Sequence, residues 1–193
     1  MKVIIDTNSL LSLVRYYIKI DSKNILSKYI KSKLESGELL IIDKVYDECK
    51  YVSKGDILLT LNYLNDNYFL KSINFPIKTD NLLAPAPNKL LRQIDNQFVN
   101  SVVLKQKKIS EIEYEIQKNI FMNGADIKQI ILALNYKRDN IDVIIVTEES
   151  EISNDNKLFK KIPSMCKELN IKTMTLPELL VSFNDLRIEF TNL

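Results

Sequence analysis

The sequence predicts an α/β fold with a parallel sheet, on three observations. Strand-like apolar runs recur along the chain, helix-like spacing follows them, and capping residues stand at the joins. The first run is Lys2 to Ile5, β-branched and ending in Asp6. Thr7-Asn8-Ser9 then offers capping side chains ahead of Leu10, Leu11, Leu13 and Val14. The second run is Glu38 to Ile42, with Asp43 expected as the N-cap of a helix continuing over Val45 to Val52. The third, Asp142 to Thr147, is the clearest buried strand in the chain. The fourth, Ile171 to Leu176, leads into the helix start Pro177-Glu178-Leu179-Leu180, where proline suits the first turn. Strands alternating with helices imply parallel pairing.

Between Lys54 and Met122 the apolar residues keep helical spacing without a comparable strand: Ile57, Leu58, Leu61 and Leu64, then Leu90, Leu91, Ile94 and Phe98, then Ile109 to Ile120. Pro76 and Ala84-Pro85-Ala86-Pro87 punctuate this stretch as loops. The expected organisation is one domain over residues 1–193, with 54–122 as a mainly helical insertion.

Composition narrows the chemistry. The 193 residues are 46% hydrophobic and 27% charged, the balance of an ordinary globular protein, and a formal charge of +2 gives no strong electrostatic steer. Two cysteines and a strand-like run where a leader would stand point to a reducing cytoplasm. No apolar run reaches the roughly 18 residues needed to span a bilayer, so no membrane role is expected. With no histidine at all, an imidazole base, a Ser-His-Asp triad and a His-rich zinc site are excluded. Three glycines are too few for a Walker loop or a dinucleotide fingerprint. Carboxylates are the chemically capable groups that remain.

Open parallel sheets bind ligands beyond the carboxyl ends of their strands, at a topological switch point. Asp6 ends the first strand, Glu48 lies on the helix after the second, Asp126 opens the helical run Ile127 to Tyr136, and Glu148 and Glu149 follow Thr147. Clustered carboxylates repel one another, so they call for a divalent cation or for protonation. Mg²⁺ or Mn²⁺ suits oxygen donors. Such a cation lowers the pKa of a water, aligns it for attack and neutralises a leaving oxygen, the three services phosphodiester hydrolysis needs.

Val3-Ile4-Ile5-Asp6-Thr7-Asn8, the Glu48 helix, Gly124-Ala125-Asp126 before Ile130-Ile131-Leu132-Ala133-Leu134, and Val146-Thr147-Glu148-Glu149 together resemble the ordered motifs of PIN-domain nucleases, especially VapC-like bacterial toxins. Lys161-Ile162-Pro163-Ser164-Met165-Cys166 followed by Ile171 to Leu180 is similar to a PIN subfamily with the same ending. The resemblance implies a three-layer α/β/α sandwich, Mg²⁺ or Mn²⁺ dependence, an RNA substrate and a cognate antitoxin. It assigns Asp6, Glu48 and Asp126 as metal-binding acids, Asn8 and Thr147 as supports of the water network, and Glu149, in register with the usual Asp, as the fourth acid. Glu148 stays open as the alternative.

Each motif alone also fits a structural role: Asp6-Thr7-Asn8 a capping turn, Asp126 an acid in a first helical turn, Glu48 an exposed partner of Lys44 or Lys50. Their joint order on alternating strands and helices favours a site. Cys49 and Cys166 are expected in the core, and Tyr16-Tyr17 is expected to pack rather than to stack on bases. Lys157, Lys160 and Lys161 are the candidates for RNA phosphates, with Lys137 and Arg138 beside them in rank. An aspartyl-phosphate phosphatase needs a second acid two residues after the first; Asn8 stands there. The competing function is a PIN-fold module that binds RNA or protein without hydrolysis, suggested by the Glu148-Glu149 departure and the insertion. Apolar helix faces in that insertion would serve a dimer or an antitoxin.

Overall fold

β1 (Lys2–Ile5) buries Val3, Ile4 and Ile5 in succession, the signature of a strand covered on both faces. The structure, a computed structural model, describes residues 1–151 and 156–187; the expected domain limit at residue 193 lies outside them. After β1 come α1 (Thr7–Ser12), looser turns to Ile20, α2 (Ile25–Glu35), β2 (Leu39–Leu40) and α3 (Asp43–Cys49). Then α4 (Asp56–Thr60), α5 (Asn67–Ser72), α6 (Pro87–Gln93), α7 (Ser101–Gln106) and α8 (Glu111–Met122) follow. The chain continues with α9 (Ala125–Arg138), β3 (Val143–Val146), α10 (Ile162–Glu168), β4 (Lys172–Met174) and α11 (Leu176–Ser182).

The four strands form one all-parallel sheet in the order β2-β1-β3-β4, as the alternation of strands and helices predicts. Lys2 faces Val143 and Ile5 faces Val146 across the β1/β3 pair, while Val3 faces Leu39 on the other side. Crossovers between parallel strands are right-handed in nearly all cases. The step from β1 to β2 and the later steps to β3 and β4 run in opposite directions across the sheet, so their helices cover opposite faces. α2 packs on β2, α9 on β3, and α10 on both α9 and β4.

Several element boundaries differ from the sequence expectation for identifiable reasons. β2 keeps two residues instead of the expected five because the chain changes partner after Leu40. Ile77 N–H donates to Ile41 O at 3.1 Å and Asp43 N–H donates to Ile77 O at 2.9 Å, so the insertion takes over the ladder. β4 begins late because Ile171 N–H closes the turn after α10, at 2.8 Å from Cys166 O. It ends early because Thr175 and Glu178 form a capping box on α11. α3 stops at Cys49 rather than Val52, and Ser53 and Lys54 beyond it take left-handed φ values of 50° and 60°. Asp43 is the first helical residue and not the N-cap, which is Ile42.

α2 has no counterpart among the elements the sequence predicts. It carries Leu26, Ile30 and Leu34 on one buried stripe, and the buried Asp21 carboxylate accepts from Leu26 N–H at 2.6 Å. Residues 54–122 carry α4 to α8. They pack on the rest through α4 against α1 and α3 and through α8 against α9, and two isolated pairings, Ile42 with Ile77 and Val99 with Phe159, add backbone links. α8 buries none of its residues and leaves Ile112, Ile116 and Ile120 exposed. Among the described residues no helix is long and apolar enough to cross a membrane.

Candidate acidic site

The strand order creates a switch point between β1 and β3, the two central strands, because the chain leaves β1 toward β2 and returns on the other side. The backbone seams the carboxyl ends together there: Asp6 N–H donates to Val146 O and Thr147 N–H to Met174 O, both at 3.0 Å. Asp6 is buried at this seam with 5% of its surface exposed. α9 places Asp126 in its first turn and Gln129 one turn later, and Gln129 Nε2 donates to Asp6 Oδ1 at 3.3 Å. The Gln129 Oε1 atom is buried and has no hydrogen-bond partner among the described residues.

Glu48, on α3, accepts a hydrogen bond from the Thr7 hydroxyl. Glu149 accepts from Ile162 N–H at 3.3 Å and lies 3.8 Å from Lys157 Nζ, while its own amide donates to Thr147 Oγ1 at 3.2 Å. Glu148 has a different occupation. Its Oε1 accepts from Leu176 N–H at 2.8 Å and from the Ser9 hydroxyl at 3.3 Å, so it ties the start of α11 to α1. Both acids follow the same strand, and it is Glu149 whose charge acts on Asp6 and Asp126.

The electrostatics of the pair follow from that arrangement. Burial pushes the Asp6 carboxyl up to about 6; the Thr7 amide and Gln129 oppose the shift, and repulsion from Glu149 and Glu48 adds to it. Asp126 is pushed up to about 7, first by burial and then by Asp6 and Glu149, with Lys157 opposing and Glu48 adding. Four carboxylates thus share one electrostatic neighbourhood, and Asp6 and Asp126 bind a proton more readily than ordinary carboxylates do.

The donor set has the chemistry of a hard divalent cation: carboxylate oxygens, an orphaned amide oxygen and uncompensated negative charge. Among the described residues no three acidic, cysteine or histidine side chains are grouped as an all-protein cage for one ion. Mg²⁺ does not require one, since it is commonly held by one or two carboxylates with waters and substrate phosphate completing the shell. Asp6 and Asp126 are the residues that fit this role.

The remaining sequence candidates are distributed around this centre. Asn8 is exposed on α1, whereas its neighbours Thr7 and Ser9 are buried and hold Glu48 and Glu148. Thr147 is buried beneath the Glu149 amide. Lys157, Lys160 and Lys161 line a cavity of about 600 Å³ that reaches Asp126. Lys137 instead donates to the carbonyls of Leu169 and Asn170, and Arg138 pairs with Asp139. Both cysteines are buried, and burial pushes each thiol up to about 12, which removes them as nucleophiles. Tyr17 packs against the core as expected, but Tyr16 stands 66% exposed.

Sequence reasoning passes over Gln129. The signal is present: an amide set in the run Ile127 to Ala133, three residues after Asp126, where every neighbour is a core residue or the buried Lys128.

Over residues 83–185 the chain matches a family described as a domain of unknown function (DUF4411). That span includes α9 with Asp126 and Gln129, β3 and Glu149, and leaves out β1 with Asp6 and α3 with Glu48. Compared with curated proteins and with solved structures, the chain matches none.

Proposed function

We propose that this chain, which belongs to the DUF4411 family, is a metal-dependent endoribonuclease of the PIN-domain type. The observation that carries the reading is the convergence of the buried Asp6 and the half-buried Asp126, whose charges repel, with Glu48 and Glu149 at the switch point of a parallel sheet. The motif resemblance along the chain supports the same reading.

Asp6 and Asp126 would hold Mg²⁺ or Mn²⁺. When bound, that ion supplies Lewis-acid stabilisation of a phosphoryl oxygen and a more acidic water. The chain's own groups do the rest. Gln129 fixes one oxygen of Asp6. The Thr7 hydroxyl holds the Glu48 carboxylate, the Ile162 amide holds that of Glu149, and Thr147 anchors the Glu149 backbone. Attack of water on the phosphorus forms one P–O bond and breaks the bond to the leaving ribose oxygen; the water gives up one proton and the leaving oxygen takes one up. Lys157 stands beside Glu149 to offset phosphate charge.

On this reading the chain is the toxin of a bacterial toxin–antitoxin pair. The exposed Ile112, Ile116 and Ile120 of α8 support a protein partner, an antitoxin or a second copy. The competing reading, a binding module of the same fold without hydrolysis, is favoured by the occupied state of Glu149, whose carboxylate is already engaged by Ile162 and Lys157. One assay separates them. The purified chain, freed of any partner, is incubated with RNA and Mg²⁺ or Mn²⁺ beside an Asp6→Asn/Asp126→Asn double variant. Cleavage by the wild type alone is expected; equal cleavage by both would sink the nuclease reading.

A further inference from the structure

The cavity that reaches Asp126 has walls unlike those of the acidic centre. Phe121, at the end of α8, and Phe159, after β3, stack with ring centroids 4.3 Å apart and planes 16° apart, and both rings line the cavity. Lys107, Lys157 and Lys160 line it as well. The wall is fixed in place by main-chain bonds between the insertion and the segment after β3. Asn100 N–H donates to Leu158 O at 2.7 Å and Lys160 N–H to Phe98 O at 2.8 Å. Lys157 belongs to both places, since it lines the cavity and stands 3.8 Å from Glu149 of the acidic centre.

We infer that this cavity receives an unpaired base of a single nucleic-acid strand, with the flanking phosphates on Lys107, Lys157 and Lys160 and the next phosphate at the acidic centre. The inference rests on the nuclease reading above for the identity of that last phosphate. A volume near 600 Å³ lies within the roughly 300–1,000 Å³ range of small-ligand sites. An aromatic and aliphatic wall beside lysines is the combination that binds single strands, because every base has a π-face and every linkage a charge. A base held in a duplex cannot enter such a recess without leaving its stack. An acidic peptide would satisfy the lysines but would leave the phenyl wall without a partner of its own kind.

The test is fluorescence anisotropy with a short labelled oligoribonucleotide, its DNA counterpart and the same RNA strand in a blunt duplex, all in EDTA so that binding is read without cleavage. The full chain is expected to bind the better of the two single strands roughly ten-fold tighter than the duplex, and that better strand identifies the sugar preferred. Lys107→Glu, on the surface, should weaken single-strand binding several-fold, and Phe159→Leu should reduce the preference over duplex. Circular dichroism checks that each variant is folded. Equal affinity of the wild type for single strand and duplex overturns the inference. So does wild-type affinity in a folded Lys107→Glu variant, or displacement of the strand by polyglutamate at equal charge concentration. A nuclease that cleaves but ignores these substitutions refutes the cavity alone. Strand binding that responds to them without any cleavage refutes the nuclease reading alone.

Discussion

Asp6 and Asp43 occupy equivalent places and have opposite fates. Each follows a strand of the same sheet and enters a helix, and each is 5% exposed. The Asp43 carboxylate accepts from the Thr79 hydroxyl at 2.5 Å, the Thr79 amide at 3.0 Å and the Lys44 amide at 2.9 Å. Burial pushes Asp43 up, yet these donors together with the Lys44 charge outweigh it and leave the group below the usual carboxylate range. The side-chain donor to Asp6 is one amide at 3.3 Å, and its neighbours are other carboxylates. A buried acid that is fully satisfied is part of the scaffold; one that is crowded by its own kind is poised to take a cation or a proton. The difference lies in what surrounds the residue, and burial alone does not reveal it.

The contrast can be broken most forcefully at Asp43. Replacing it by Ala leaves the Thr79 amide and hydroxyl buried without an acceptor, and a loss of about 2–4 kcal/mol is expected in urea unfolding. An Asp43→Ala variant as stable as the wild type would remove the scaffold half of the comparison.

Asp126 should behave with the opposite sign. Its folded-state affinity for a proton exceeds that of the unfolded chain, where the ordinary value is 3.8. The stabilisation associated with that proton is therefore complete below about pH 4 and is lost as pH rises through about 7. Thermal melts in EDTA should show Asp126→Asn gaining on the wild type across that window. Asp43 contributes the reverse, holding its stabilisation above the ordinary value and losing it as pH falls below. A pH-independent difference between Asp126→Asn and wild type would contradict the placement of that charge.

Gln129→Leu sharpens the comparison within the site. The volume is kept while the bond to Asp6 is lost, so cleavage or Mn²⁺ affinity should fall roughly 10-fold, in the range seen for supporting residues of metal sites. Calorimetric Mn²⁺ titration reads the metal affinity directly, apart from any change in cleavage.

The smallest effect is expected at Glu148. Glu148→Gln weakens the bonds to Leu176 and Ser9 and should cost about 1 kcal/mol of stability with cleavage unchanged. Loss of cleavage with stability intact would make Glu148, and not Glu149, the fourth acid of the centre.

The legibility of this molecule in its sequence follows the same division. β1, β3 and α9 can be read because their apolar runs are long and fully buried, and the order of Asp6, Glu48, Asp126 and Glu149 can be read because topology alone brings strand ends together. The stretch from Ile25 to Glu35 escapes notice because lysines and serines separate its three buried residues. Its N-cap, Asn24, sits in a left-handed conformation and makes no side-chain cap. β2 reads too long because the sequence does not show that Ile77, from the insertion, replaces β1 as the partner of the chain beyond Leu40. The roles of Asp43 and Glu148 depend on Thr79, Leu176 and Ser9, partners that no local pattern announces.

The pairing of β1 with β3 also sets a schedule. Lys2 to Ile5 meet Val143 to Val146, so the earliest of these four strands waits for the third before its second edge is covered. Asp6 is made well before Asp126 and Glu149 and is joined by them only once the segment through β3 has emerged. During synthesis the acids are strangers to one another, and a chain cut short before β3 carries them apart. Any activity that depends on their meeting is withheld from unfinished copies by topology alone.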